Sequence, residues 1–264
     1  CMNISFSKYQ GTGNDFIMLD NLSGNYDALT LDQIRFLCDR KLGVGADGLI
    51  KISKDENFDF NVEYYNSDGS QSFCGNGARC SVAFAKTLGE LVDATKFNAI
   101  DGVHEAKITV DGRVHLEMLP VSNVERLRDE ENQEVFVMDT GSPHYVKFVD
   151  ASNAPDIVDF GKRIRYSDRF KEEGINVNTV VELGPNTIHV ATYERGVEDE
   201  TLSCGTGVTA CALAYMLTNS SNNEVSVSTK GGKLSVKAIA SDKGFQNIWL
   251  IGPAKKVFDG SIEV

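Results

Sequence analysis

The stretch that decides the fold reads Cys74-Gly75-Asn76-Gly77-Ala78-Arg79-Cys80, and Cys204-Gly205-Thr206-Gly207 repeats its C-G-x-G opening. Small and apolar residues follow each phrase, at 78–85 and at 208–214. Glycine suits a tight turn, and the runs that follow predict buried helices. Each cysteine is therefore expected at a helix N-terminus, where free N–H groups and the helix dipole favour a thiolate. Two cysteines in matched settings indicate a pair of acid/base groups that face each other.

Other short segments repeat at nearly the same spacing as the two cysteine phrases, which lie 130 residues apart (204 − 74). Residues 12–14 match 140–142, residues 65–66 match 193–194, and parts of 43–50 align loosely with 174–181. Four matches in the same order at nearly one spacing indicate an internal duplication. Two repeats are too few for a solenoid, so the predicted architecture is two similar lobes.

Most of each lobe has the alternation or the β-branched content of strands, and helices are fewer. The helices are predicted at Leu31–Arg40, Ala78–Leu88, Ala154–Arg163 and Val208–Leu217. The predicted fold class is α+β, with a mainly antiparallel sheet and a central helix beginning at a cysteine in each lobe. The N-terminal lobe is expected over residues 1–119 and the C-terminal lobe over 120–250, with 251–264 returning to the first lobe.

Length and charge restrict the class of protein and its partners. The chain has 264 residues, 41% of them hydrophobic, which is enough for one large domain or two small ones with a real core. The net charge of −12 argues against a nucleic-acid backbone or an anionic membrane as partner. No transmembrane run and no signal-peptide pattern is found, so a cytoplasmic protein is expected.

The six cysteines show neither a C-x-x-C motif nor the cysteine–histidine spacing of a zinc site. Reduced thiols and no metal are therefore expected. Cys80 and Cys211 lie within apolar runs and are predicted to be inert core residues. Cys1 precedes Met2, and no function is predicted for it.

Three further features leave a structural and a functional interpretation open. Gly43–Gly48 matches G-x-G-x-x-G, but a helix is predicted before it and a strand after it, the reverse of a dinucleotide site, so a turn lining a small-molecule site is favoured. Arg195 fits a solvated surface position and carboxylate binding about equally well. His144 lies in a Gly/Pro turn, which favours function, although its spacing alone favours a structural role.

Six segments carry a resemblance to a known family: Tyr9–Phe16, Asn66–Cys80, Gly141–His144, Gly174–Val177, Tyr193–Gly196 and Ser203–Gly207. They occur in order along nearly the whole chain and closely resemble the diaminopimelate epimerase family. The resemblance implies a pseudo-symmetric two-lobe fold, each lobe a sheet or barrel around its central helix, with the active site in the cleft. It also implies interconversion of LL- and meso-diaminopimelate without any cofactor, on the route to lysine and peptidoglycan. The implied partner is this small-molecule substrate, and a homodimer is left open.

The same resemblance implies roles for individual residues. Cys74 and Cys204 are the two catalytic bases, and His144 lies near the site in a supporting position. The substrate-binding positions are Asn14, Asn66, Gly75, Asn76, Asn176, Glu194, Arg195, Gly205 and Thr206. Two residues depart from the family pattern, Gly48 in place of a frequent glutamine and Ser142 in place of a frequent asparagine, and both are expected to reduce side-chain contacts. The segment 197–201 is one residue longer than in some relatives.

Epimerisation at Cα requires a proton to leave one face and another to arrive on the opposite face, so one thiolate and one thiol fit the chemistry. Two thiols that face one carbon should also cross-link on oxidation. Three alternatives stay open at this point: a proline racemase-type isomerase of the same fold, a thiol redox protein that uses a disulfide between Cys74 and Cys204, and a catalytically silent amino-acid-binding protein.

Overall fold

The computed structural model describes residues 2–91, 93–219 and 223–264 of the chain. It divides into two compact units, Cys1–Leu116 with Gly252–Val264, and Glu117–Ile251. The position of Cys1 itself lies outside the described residues. Within the described ranges, no helix is both long and apolar enough to span a membrane.

Strands outnumber helices in both units. In chain order the elements are β1 (Asn3–Gly11), β2 (Asn14–Asp20), α1 (Leu31–Cys38), β3 (Gly48–Ser53), β4 (Phe60–Asn66), α2 (Gly75–Leu88), β5 (Ala94–Ala99), β6 (Gly102–Ile108), β7 (Arg113–Met118), β8 (Val124–Arg128), β9 (Glu134–Asp139), β10 (Pro143–Phe148), α3 (Ile157–Arg165), β11 (Asn176–Gly184), β12 (Thr187–Glu194), β13 (Asp199–Thr201), α4 (Gly205–Thr218), β14 (Glu224–Thr229), β15 (Gly232–Ser241), β16 (Gly244–Pro253) and β17 (Lys255–Glu263).

The two units repeat one order of strand pairing. In the first unit β17, β1, β2, β3, β4, β5, β6 and β7 pair in that order. In the second unit β8, β9, β10, β11, β12, β14, β15 and β16 do the same, and β13 adds to β12. The third and the fifth pairing of each series are parallel, and the others are antiparallel. This repetition confirms the predicted α+β fold with an internal duplication.

The parallel pairings occur where a helix lies between two strands along the chain. The pairs β2–β3 and β4–β5 are connected through α1 and α2, and β10–β11 and β12–β14 through α3 and α4. A parallel pair requires such a crossover connection, whereas antiparallel neighbours can be joined by a short turn. Each unit is therefore a mixed sheet with two crossovers, in addition to the mainly antiparallel pairing that the sequence predicts.

The helices α2 and α4 are the buried centres of their units. Residues 75–82 of α2 and 207–215 of α4 are all buried. Strands β1–β4, β6 and β17 contact α2, and strands β9–β12, β14 and β15 contact α4. A helix buried over this length has to be surrounded by other elements, and small residues such as Ala78 and Ala210 allow the strands to approach closely. The sheet of each unit thus holds the N-terminus of one central helix in a fixed position.

Candidate active site

Cys74 is the N-cap residue of α2. Its backbone is extended, with φ −132° and ψ 114°, and its Sγ accepts a hydrogen bond from the backbone N–H of Gly77 at 3.4 Å. The same Sγ lies 3.5 Å from Oδ1 of Asn14, to which the thiol donates. The helix N–H stabilises a thiolate and the amide oxygen stabilises a thiol, so this sulfur has a partner in both protonation states.

The orientation of the Asn14 amide is set by a carboxylate. Nδ2 of Asn14 donates to Oδ2 of Asp47 at 2.6 Å, and Asp47 is in turn paired with Arg40 at 2.8 Å. A carboxylate oxygen accepts only, so Oδ1 of Asn14 must face Cys74 and Nδ2 of Asn76, which lies 3.2 Å away. Asp47 therefore positions a predicted substrate-binding residue.

A second carboxylate supports this arrangement. Asp15 pairs with Arg40 through two hydrogen bonds of 3.0 and 2.7 Å and with the buried Lys8 at 2.8 Å. Burial alone would raise the pKa of Asp15, but the hydrogen bonds from Arg40 and Lys8 outweigh it and lower that pKa to about 2. The Asp15 carboxylate is thus an anion at neutral pH, and it holds Arg40 beside Asp47.

Asn66 lies at the end of β4, in the turn that leads to Cys74. Its Oδ1 accepts a hydrogen bond from the hydroxyl of Tyr64 at 2.9 Å, and its Nδ2 donates to the hydroxyls of Ser70 and Ser72 at 3.1 Å each. Tyr64 and Ser72 also line a small cavity beside Cys74. The predicted binding residue Asn66 is therefore held next to the cysteine through Tyr64 and Ser72.

Gly48 is the first of the two departures from the family pattern, and its neighbours explain it. A Cβ atom at this position would lie 2.4 Å from Cε2 of Tyr64 and 2.6 Å from the carbonyl oxygen of Tyr65. The Tyr64 ring, packed edge-on against Phe16 with centroids 5.9 Å apart, occupies the space of a side chain at position 48. A larger residue there would displace the side chain that holds Asn66.

Cys204 is the N-cap residue of α4, with φ −113° and ψ 113°. Its Sγ lies 3.3 Å from the hydroxyl oxygen of Thr206. Like Cys74, it is half-buried, whereas Cys80 and Cys211 are fully buried, as predicted for core residues. Burial raises the pKa of Cys80 to about 12 and that of Cys211 well above its usual value, so both remain thiols at neutral pH.

A chain of hydrogen bonds, here called the relay, leads from Asn178 through His144 and Thr206 to Cys204. Nδ2 of Asn178 donates to the carbonyl oxygen of Tyr145 at 3.0 Å, which identifies this atom as the amide nitrogen. It also lies 3.0 Å from Nδ1 of His144, which must therefore accept, and the imidazole proton is assigned to Nε2. Nε2 then donates to the hydroxyl of Thr206 at 2.8 Å, and that hydroxyl, 3.3 Å from Sγ of Cys204, can donate to a thiolate or accept from a thiol there.

The imidazole in this relay is neutral. His144 is fully buried, and burial, followed by the nearby charge of Arg195, lowers its pKa to about 3. A neutral ring with a defined tautomer donates one hydrogen bond and accepts one. His144 thus orients the Thr206 hydroxyl without changing its own charge.

Asn176 and the backbone of Arg195 join the same network. Nε2 of His144 lies 3.1 Å from the hydroxyl of Ser142, which accepts a hydrogen bond from Nδ2 of Asn176 at 2.8 Å. Oδ1 of Asn176 accepts from the backbone N–H of Arg195 at 2.8 Å, and Glu194 precedes it at the end of β12. Ser142, the second departure, therefore keeps a polar contact to both of its neighbours. Hydrogen bonds thus link His144, Asn176 and the backbone of Arg195 to Thr206, two residues after Cys204.

The side chain of Arg195 reaches across its own loop. Its guanidinium donates to the carbonyl oxygen of Glu173 at 2.8 Å. In the longer segment 197–201, Glu198 has a left-handed backbone (φ 59°) and accepts hydrogen bonds from the hydroxyl of Tyr193 at 2.7 Å and the N–H of Gly196 at 3.1 Å. The carboxylate of Glu198 thus anchors the segment 197–201 beside Arg195.

Comparison with known proteins decides the family. The sequence model described as diaminopimelate epimerase matches residues 6–124 and 136–257. The chain belongs to the diaminopimelate epimerase family. It is 48% identical over 257 residues to the diaminopimelate epimerase of Flavobacterium psychrophilum, covering 97% of this chain and 98% of that protein.

Solved structures show the same fold at low sequence identity. A phenazine biosynthesis protein of the PhzF family from Bacillus anthracis superposes with a TM-score of 0.77 at 12% identity, covering all of both chains. A hydroxyproline epimerase from Agrobacterium vitis, with trans-4-hydroxy-L-proline bound, gives a TM-score of 0.68 at 13% identity and covers 98% of this chain and 92% of that chain. The predicted family, isomerase class and fold are therefore confirmed for this diaminopimelate epimerase family member.

Sequence reasoning missed several residues that the structure places at the site. They are Asp47, Tyr64, Asn178 and Arg79. Two of them carried a signal in the sequence. Asp47 lies in the Gly43–Gly48 turn, and Asn178 follows Asn176 at the two-residue spacing that puts both side chains on one face of a strand.

Proposed function

We propose that the chain interconverts LL- and meso-2,6-diaminopimelate without a cofactor, as a step towards lysine and peptidoglycan precursors. Family membership supports this reaction. The observation that carries the mechanism is that two half-buried cysteines, Cys74 and Cys204, are the N-cap residues of the two central helices at equivalent positions of the duplicated units. We assign these cysteines as the two acid/base groups.

In this mechanism the two sulfurs act on opposite faces of one Cα. One thiolate accepts the Cα proton, and the other thiol donates its proton to the opposite face. The reverse reaction exchanges the roles, so the pair titrates as one coupled unit. Each sulfur must therefore be stable both with and without its proton. The Asn14 oxygen and the Gly77 N–H meet that need at Cys74, and the Thr206 hydroxyl, which can donate or accept, meets it at Cys204.

The substrate carboxylate at the reacting centre is assigned to the helix N-termini. The backbone N–H groups of the first turns, at Gly75–Asn76 and Gly205–Thr206, suit an anion and stabilise the charge that develops when the Cα proton leaves. Glu194 and Arg195 suit the ammonium group and the carboxylate at the far end of diaminopimelate. The amides of the predicted set complete the polar contacts: Asn14, Asn66 and Asn176.

The decisive experiment follows the Cα proton. Reduced protein is incubated with LL-diaminopimelate in deuterated water, and deuterium incorporation and stereochemistry are measured. We expect deuterium at the inverted Cα. Cys74→Ala and Cys204→Ala should each lose at least about 10²-fold in turnover, the lower range for a general acid/base group. Cys211→Ala, in the core of α4, is the matched control and should keep its turnover.

Two results would contradict the proposal. Near-normal turnover in either Cys74→Ala or Cys204→Ala would refute the two-base mechanism. Exchange with L-proline or trans-4-hydroxy-L-proline, but none with diaminopimelate, would replace the substrate by that of a proline racemase-type enzyme. The mechanism also needs free thiols, so the reducing cytoplasm is the proposed location.

A further inference from the structure

Arg79 is a fully buried cation in the interior of α2, and its hydrogen-bond partners are all neutral. Its guanidinium donates to Oδ1 of Asn76 at 2.9 Å, the hydroxyl of Thr12 at 3.3 Å, the carbonyl oxygen of Gly75 at 3.4 Å and the carbonyl oxygen of Pro253 at 3.5 Å. Among the ion pairs of the described ranges, none involves Arg79. Buried charges in proteins are normally paired, so this cation requires an explanation.

The position of the guanidinium adds a second cost. It bonds the carbonyl of Gly75, in the first turn of α2, and the N-terminal end of a helix disfavours a positive charge. An anion at the same helix end would offset both costs. The guanidinium also binds Oδ1 of Asn76, in the first helical turn that Cys74 caps, and the two thiols that act electrostatically on Arg79 are those of Cys80 and Cys74. Cys80 remains a thiol because burial raises its pKa to about 12, which leaves Cys74, the N-cap residue of the same helix.

The second unit shows that the helix does not need this charge. The residue 130 positions after Arg79 is Thr209, which is also fully buried. Its hydroxyl donates to the carbonyl oxygen of Gly205 at 2.9 Å, the counterpart of the Gly75 carbonyl that Arg79 binds. A neutral side chain therefore satisfies the same turn of α4. The buried cation therefore occurs in the first unit and not at the equivalent position of the second, so the common fold of the two units does not require it.

We propose that the buried charge of Arg79 holds Cys74 as the thiolate in the substrate-free protein, so that Cys74 starts as the proton acceptor and Cys204 as the proton donor. Arg79 is thus a positioning residue that acts through Cys74. The catalytic meaning of this inference rests on the proposed epimerase function. The protonation state itself does not, because it can be measured without turnover.

The test is the pH dependence of cysteine alkylation. Iodoacetamide reacts with the thiolate, and mass spectrometry of the peptides reports each cysteine separately. In a Cys204→Ala background, Arg79→Gln should raise the pH of half-maximal Cys74 alkylation by at least about one unit, since a nearby opposite charge shifts a pKa by roughly one to three units. Once the shifted pKa lies above neutral pH, each further unit slows alkylation at that pH by about tenfold. Arg79→Lys, which keeps the charge, should recover most of the rate.

Cys204 supplies the internal control. In a Cys74→Ala background, its alkylation profile should be the same with and without Arg79→Gln, because its own helix carries Thr209 instead. An equal shift at both cysteines would indicate a general structural disturbance and would overturn the proposal. An unchanged Cys74 profile together with a higher KM for diaminopimelate would overturn it as well, since the charge would then serve a substrate carboxylate.

A measurement on the unaltered chain covers the case in which Arg79→Gln does not fold. With limiting iodoacetamide at neutral pH, Cys74 should be modified about tenfold faster than Cys204. Equal rates, or faster modification of Cys204, would refute the inference. A protein that lacks epimerase activity but alkylates in the expected order would instead count against the proposed function alone.

Discussion

Replacement of Thr206 by valine removes one hydroxyl and keeps the shape of the side chain. In the relay that hydroxyl lies 2.8 Å from Nε2 of His144 and 3.3 Å from Sγ of Cys204. His144 keeps a second acceptor, the Ser142 hydroxyl at 3.1 Å, so the imidazole is not left without a partner. The main effect falls on the Cys204 thiolate, because it loses the hydrogen bond that the Thr206 hydroxyl donates to it.

The size of that loss follows from the charge of the acceptor. A hydrogen bond to a charged group contributes about 1.5–3 kcal/mol. The Cys204 thiolate should therefore be disfavoured by roughly 10- to 150-fold, which equals a rise of about 1–2 units in its apparent pKa. kcat/KM should fall by a similar factor in both reaction directions, because the equilibrium constant between the two stereoisomers does not depend on the enzyme.

The assay is iodoacetamide alkylation of Cys204 against pH in a Cys74→Ala background, together with kcat/KM for both stereoisomers. Thr206→Ser, which keeps the hydroxyl, is the matched control and should remain close to the parent protein. If Thr206→Val left both the alkylation profile and kcat/KM unchanged, the relay would have no role in the chemistry. If Thr206→Ser were as impaired as the valine variant, the effect would belong to packing of the γ-methyl group.

Three further outcomes are expected. A Cβ at Gly207 would lie 2.6 Å from Oδ1 of Asn178 in the relay, whereas a Cβ at Gly77 would lie 3.1 Å from Cδ1 of the flexible Ile50 side chain. Gly207→Ala should therefore lower the free energy of unfolding by about 1–3 kcal/mol and reduce turnover more than Gly77→Ala does. Equal effects of the two variants in thermal denaturation would contradict this. The pKa of His144 is lowered to about 3 in the folded state, whereas in the unfolded chain it is about 6.5, so below pH 6.5 the unfolded state binds an extra proton. The free energy of unfolding should therefore fall by about 2 kcal/mol from pH 6.5 to pH 5. Denaturant titrations of His144→Gln should show a shallower decline over the same range. Oxidation with diamide should inactivate the protein by linking Cys74 to Cys204, and reductant should restore it, whereas an inactive sample with both thiols free by mass spectrometry would exclude the link.

Local signals in the sequence predicted the helices well but placed their ends less accurately. The central helices were expected from Ala78 and Val208, and both begin three residues earlier, at Gly75 and Gly205, because each cysteine is itself the N-cap residue. The third helix begins at Ile157 instead of Ala154, since its carboxylate N-cap is Asp156. Cap residues, rather than the apolar pattern, determine where a helix starts.

Pairing between strands and the neighbours of the site were harder to predict. A pattern of alternation shows that a segment is a strand but does not identify its partner, so the parallel pairs across the helices were missed. The tautomer of His144 depends on Asn178, which lies far along the chain on another strand. The space at Gly48 depends on Tyr64, which also lies on another strand. The exception was the pair of C-G-x-G phrases, because a duplicated motif reports on two distant sites at once.

The last strand of the chain has a consequence for the order of folding. β17 pairs with β1 from Asn3 opposite Glu263 to Gln10 opposite Lys255, so the first unit contains a strand that is translated after the entire second unit. The second unit is continuous in sequence, over Glu117–Ile251. Domains generally fold as units during synthesis, the N-terminal one first. Here the sheet of the first unit cannot close until the last strand has left the ribosome, so a nascent-chain protease assay should find the N-terminal half sensitive until the chain is released.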